Sequence, residues 1–174
     1  MTADDFRNSL LAHFEEFKHA LATDTGDWVV KGFIDVYRNI YTISVDTKVV
    51  SKIIELLLFP VVSRFAEEHD YRMVLPEHQN YYPDISFIAP DGEKIALDLK
   101  STYRKSAMRV SGFTLGAFTG YFRRRDSTKN ITFPYQQYAK HFVLGIIYSR
   151  SDEATDERHV YTLDDLQDLS LIHI

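Results

Sequence analysis

The chain has 174 residues, 45% hydrophobic and 26% charged, which suits one soluble globular domain large enough for a real core. It has no cysteine, and its seven histidines form no His-x-x-x-His pair. A disulfide framework and a thiolate zinc site are therefore excluded, and a histidine zinc site is disfavoured. The start, Met1 to Phe6, lacks the basic and apolar pattern of a signal peptide. The longest apolar stretch, Ile53 to Val62, contains Glu55 and Pro60 and is too short to span a bilayer, so no membrane role and a cytoplasmic setting are expected.

In chain order, Phe6, Leu10, Phe14, Phe17 and Leu21 recur at helical spacing and predict one amphipathic helix over 3–22, with Asp4 and Asp5 in its first turn. Thr23 to Gly26 ends it. A strand pair follows, from Trp28 to Ile34 and from Ile40 to Ile43, around Arg38-Asn39. Asp46 is a plausible N-cap for a second helix, whose stripe is Val49, Ile53, Leu56 and Leu57. Pro60 should kink or restart that helix on its way to His69. Tyr71 to Leu75 reads as a short strand. Val110 to Tyr121 is strand-like, Ile131 to Phe133 is a strand, and Pro134 starts a helix over Tyr135 to His141. Phe142 to Tyr148 is a buried strand, 151–159 an acidic loop, Val160-Tyr161 extended, and Thr162 caps Leu163 to Gln167. The sum is an α/β fold with a mixed central sheet flanked by helices.

The chemistry concentrates between Pro83 and Lys100. Ile85 to Ala89 and Lys94 to Leu99 read as two strands joined by the turn Pro90-Asp91-Gly92-Glu93, a β-hairpin. Alternation puts Asp98 and Lys100 on one face. Asp84 stands at the start of the partner strand, so two carboxylates and an ammonium can meet at one end of the hairpin. Two hard oxygen ligands for Mg²⁺ and a cation beside the attacking water are what metal-dependent phosphodiester hydrolysis needs. Edge strands also carry charges, but Asp98 interrupts an otherwise apolar run, where an unpaired carboxylate would cost several kcal/mol. Pro83-Asp84, thirteen intervening residues, and Asp98-Leu99-Lys100 together resemble the signature of the PD-(D/E)xK nuclease superfamily.

Net charge is −5, yet residues 100–129 carry eight basic side chains against Asp126 alone. A locally basic segment after the motif suits phosphate contacts whatever the total charge. Residues 151–170 carry seven acidic side chains against Arg158 alone.

Six stretches resemble one family in order and spacing, that of the EcoRV restriction endonuclease. They are Asp46 to Val49, Gln79-Asn80 with Tyr82-Pro83-Asp84, Asp98-x-Lys100-x-Thr102-Tyr103, Phe113 to Gly116, Thr128 to Ile131, and Gln137-Tyr138. The resemblance implies a type II site-specific deoxyribonuclease that uses Mg²⁺ to hydrolyse double-stranded DNA, with Asp84 and Asp98 as metal ligands and Lys100 beside the attacking water. It implies that Glu55 is an auxiliary acid near the metal, although a helical glutamate beside Lys52 also reads as an exposed ion pair. It places Gln79 and Asn80 in a minor-groove loop, and Thr102 and Lys129 near phosphates, with Thr128 and, from the basic run, Arg104 and Lys105 added to the DNA contacts. Family members act as homodimers on a palindrome, and the resemblance suggests GATATC. Arg104 to Arg109 and the more basic Arg123-Arg124-Arg125 depart from the family pattern. A structure-specific repair nuclease or junction resolvase, or a DNA-binding fragment without catalysis, is the alternative.

The expected organisation is a single restriction-endonuclease-like domain over 1–174. Within it, 1–45 is an N-terminal dimer contact, 46–168 the catalytic core, and 169–174 a tail that continues no family pattern. That tail is one translation of a transposon end used in preparing sequencing libraries. The expectation is therefore a reading frame cut short before the family's Gly/Ser/Asn/Thr-rich base-reading loop.

Overall fold

The computed structural model describes residues 3–30, 32–42, 46–114, 118–121, 123–150, 160–161 and 172–173. The elements are α1 (Ala3–Ala12), α2 (Phe14–Leu21), β1 (Gly32–Ile34), β2 (Ile40–Thr42), α3 (Thr47–Glu68), β3 (Arg72–Val74), β4 (Ile85–Ile88), β5 (Lys94–Ser106) and β6 (Arg109–Val110). After them come α4 (Phe118–Tyr121), a 3₁₀ turn (Tyr135–Gln137), β7 (Tyr138–Arg150), β8 (Val160–Tyr161) and β9 (Ile172–His173). The expected acidic loop over 151–159 and the helix capped by Thr162 lie outside the described residues. A six-stranded sheet has the order β3-β4-β5-β7-β9, with β6 on β5, and a three-stranded sheet has the order β1-β2-β8. This is the α/β architecture the sequence predicts. No helix among the described residues is long and apolar enough to cross a membrane.

The chain divides into two compact units. The first comprises Met1–Phe14, Pro60–Lys100 and Phe113–Ile146, and the second Glu15–Phe59, Ser101–Gly112 and Ile147–Ile174. In the first, Phe6 is fully buried and packs edge-on against Phe65, Tyr71 and Phe87, and stacks on Phe142, with centroids 5.2–5.3 Å apart. In the second, Phe17, Leu21, Trp28, Ile40, Val50, Ile54 and Tyr148 are buried.

Several local expectations are corrected. The single N-terminal helix is two, because the His13 N–H bonds three residues back, to the Leu10 carbonyl, while its ring takes the Ser9 carbonyl and Glu68. The break leaves Phe14 exposed while Phe6, Phe17 and Leu21 stay buried. The helix over Pro60 runs on to Glu68, close to the expected His69, and the Asp46 carboxylate caps the Lys48 N–H at 2.7 Å as expected. The buried row of α3 is Val50, Ile53, Ile54, Leu58 and Val61, whereas Val49 and Leu56 of the predicted stripe face outward. Finally, Pro134 starts only one 3₁₀ turn before β7 begins at Tyr138, and 118–121 is helical rather than extended.

The central hairpin forms as read. Ile85 pairs with Leu97, Ser86 with Ala96, Phe87 with Ile95 and Ile88 with Lys94. Its turn closes through the Gly92 N–H on the Ala89 carbonyl, and Gly92 takes the positive φ of 87° that glycine tolerates. Burial does not alternate along β5: Ile95 to Leu99 are all covered, so the strand is enclosed on both faces where it carries Asp98.

Candidate active site

Extending the β4–β5 register by one residue sets Asp84 opposite Asp98, and the side chains complete the approach. The Leu99 N–H donates to Asp84 Oδ2 at 2.6 Å, tying the first carboxylate to the backbone between the other two residues. Lys100 Nζ stands 2.5 Å from Asp98 Oδ2 and 3.7 Å from Asp84 Oδ2, and it also donates to the Leu99 carbonyl at 3.2 Å. Three side chains that the sequence singles out thus converge at one end of one hairpin.

Their environment is uneven. The Asp98 side chain is only 5% exposed, against 32% for Asp84. Burial pushes the Asp98 carboxyl up to about 6, helped by the negative charge of Asp84 and opposed by Lys100. One ammonium between two carboxylates, one of them buried, leaves negative charge that a hard divalent cation would offset. The donor set is therefore suited to Mg²⁺, which takes a few carboxylate oxygens and keeps several waters. Among the described residues no third His, Cys, Asp or Glu joins them in a metal-holding group.

The remaining expected residues fall in two places. Gln79, Asn80, Thr128 and Lys129 are exposed residues of the first unit, which also holds the acid pair. Arg104 and Lys105 are exposed on β5 in the second unit. Thr102 is buried in that unit, and its hydroxyl donates to the Ser111 carbonyl at 2.9 Å. Glu55 also belongs to the second unit, where its carboxylate meets Lys52 Nζ at 2.7 Å with both side chains partly exposed.

Sequence reasoning passed over the aromatic bed beside the acid pair. Tyr82, Tyr121, Ile131 and Tyr138 are buried together with Ala96, and Phe133 and Tyr135 pack against them. The Tyr82 hydroxyl shares a hydrogen bond of 2.8 Å with His141 Nδ1, and the Ser86 and Tyr138 hydroxyls share one of 2.7 Å. Nothing in local spacing signals a partner for Tyr82 that lies 59 residues along the chain.

An α/β fold whose central hairpin ends in Asp84, Asp98 and Lys100 defines the restriction-endonuclease-like class of proteins. Comparison with known proteins narrows the class: the family profile described as restriction endonuclease EcoRV matches residues 24–173. The chain is also 35% identical over 153 residues to the type II restriction enzyme EcoRV of Escherichia coli. It belongs to the EcoRV restriction endonuclease family. The match covers 87% of this chain and 62% of the length of that relative.

Proposed function

We propose that this chain carries the nuclease centre of a type II site-specific deoxyribonuclease in a restriction–modification system, hydrolysing phosphodiester bonds of double-stranded DNA at a short palindrome. The observation that carries the reading is the meeting of Asp84, Asp98 and Lys100 at one end of a largely buried hairpin. Asp84 and Asp98 would hold Mg²⁺, which when bound supplies Lewis acidity and a more acidic water. The Leu99 N–H keeps Asp84 turned toward Asp98. Lys100 contributes positive charge where negative charge grows on the phosphate, and it orients the attacking water. Water adds to phosphorus, the bond to the 3′ oxygen breaks, and the ends are a 5′-phosphate and a 3′-hydroxyl.

The exposed Gln79, Asn80, Thr128 and Lys129, with Arg104 and Lys105, are the side chains offered to DNA. Thr102, whose hydroxyl is engaged with Ser111, would act through the strand it holds. Glu55 is the auxiliary acid implied by the family, restrained here by Lys52. A homodimer on a two-fold site, in the cytoplasm, completes the reading. It is supported by Phe33, Ile34, Val36 and Tyr37 on β1 and the turn after it, which are 51–89% exposed. The palindrome that the resemblance implies is GATATC.

Incubation with Mg²⁺ and long duplex DNA of mixed sequence tests the proposal. Discrete fragments ending at one palindrome are expected. Cutting only at branched DNA would indicate a structure-specific nuclease, and binding without cutting would refute catalysis by this chain.

A further inference from the structure

The residue preceding Pro83-Asp84 is held on several sides. The Tyr82 N–H donates to the Asn130 carbonyl at 2.9 Å, and the Tyr82 carbonyl accepts from the Thr132 N–H at 2.8 Å. The Tyr121 hydroxyl donates to that same Asn130 carbonyl at 2.8 Å, bracing the clamp. With its backbone fixed, the Tyr82 ring is directed by the 2.8 Å hydrogen bond between its hydroxyl and His141 Nδ1. His141 is braced in turn, lying flat on Tyr135 with centroids 3.9 Å apart and planes 11° apart.

The phenol so held is not remote from the chemistry. It is 8% exposed, stands two residues before Asp84, and shares one buried cluster with Ala96, two residues before Asp98. It therefore serves as part of the low-dielectric wall around the acid pair. Partners behind metal ligands commonly set ligand orientation, and their loss typically costs about 10–100-fold in affinity.

We propose that Tyr82 and His141 form a positioning pair: their hydrogen bond fixes the Tyr82 ring in the buried cluster it shares with Ala96, and so steadies the chain on either side, where Asp84 and Asp98 take a divalent cation. The inference rests on the metal-dependent reading above and adds two residues that touch neither the ion nor the DNA.

Mn²⁺ alone is the probe, with the free ion counted by its paramagnetic resonance signal at pH 8 in the absence of DNA. Tyr82→Phe and His141→Phe each keep a ring and remove one side of the hydrogen bond, and circular dichroism confirms the fold of each variant. Each single change is expected to raise the Mn²⁺ dissociation constant about tenfold or more. The double variant is expected to be no weaker than the weaker single variant, because both remove the same bond. A wild-type constant in either single variant, or losses that multiply in the double variant, would overturn the positioning role. Asp84→Asn is the reference: if it binds Mn²⁺ as well as the wild type, or the wild type binds none, the metal site itself is refuted and the positioning role falls with it.

Discussion

The end of the β4–β5 hairpin and the first turns of α3 each bring a lysine against a carboxylate, and the two pairs have different fates. On α3, Lys52 and Glu55 meet at 2.7 Å with side chains 54% and 33% exposed, a surface ion pair worth about 0.5 kcal/mol. On the hairpin, Lys100 meets Asp98 whose side chain is 5% exposed, with a second carboxylate 3.7 Å from the same ammonium. Solvent screens the first pair, whereas burial leaves the second with charge to offset. Pairing alone does not make a site; pairing with an excess of buried charge does.

The sharpest way to break that contrast is to remove the hairpin groups one at a time. Asp84→Ala, Asp98→Ala and Lys100→Ala should each lower the single-turnover cleavage rate by at least about a thousandfold, roughly 4 kcal/mol of barrier. Duplex binding should survive in gel-shift assays. A variant that cuts at the wild-type rate would show that its residue has no part in the chemistry.

The aromatic bed gives a second difference, in stability. Burial lowers the His141 imidazole to about 4, against 6.5 for an exposed histidine. Between those values the unfolded chain takes up a proton that the folded chain refuses, so stability is full above pH 6.5 and falls as the pH drops toward 4. The loss is on the order of 3 kcal/mol at its upper limit. His141→Phe should lack this contribution, and the difference between its urea midpoint and that of the wild type should change across that window. Parallel pH profiles for the two proteins would show that His141 is not held neutral by burial.

A backbone effect at the opposite end of the hairpin should be smaller and leave the metal untouched. Gly92 takes a φ of 87° with open space where a side chain would go, so Gly92→Ala costs only conformational strain. About 1 kcal/mol of stability should be lost, with Mn²⁺ affinity unchanged. A tenfold change in affinity would mean that the turn and the acid pair are mechanically linked.

The smallest effect is expected on α3. With Lys52 competing for its carboxylate, Glu55→Gln should raise the half-saturating Mg²⁺ for cleavage by no more than roughly threefold, under 1 kcal/mol. A loss as large as that of Asp84→Ala would place Glu55 among the principal ligands and erase the contrast drawn above.

The hairpin and the meeting of Asp84, Asp98 and Lys100 were legible in the sequence because the hairpin that brings them to one end is local. Two apolar runs, one glycine turn and a two-residue period determine which side chains share an end. The helix break at His13 was not legible, since it depends on a side chain turning toward Glu68, 55 residues away. Nor was the early start of β7: Tyr135 to His141 carries helix-compatible residues after a proline, yet from Tyr138 onward the sheet claims the backbone. The Tyr82–His141 bond was invisible for the same reason. Each residue alone is an ordinary aromatic, and only the sheet brings them together.

The central claim is that Asp84 and Asp98 together hold the divalent cation. It is tested most directly by anomalous diffraction from crystals of the protein soaked in Mn²⁺. The expected result is a peak with oxygens of both carboxylates roughly 2.0–2.2 Å away, absent from crystals of Asp98→Asn. A peak held elsewhere, or cleavage-competent crystals with no peak between these two residues, would contradict it.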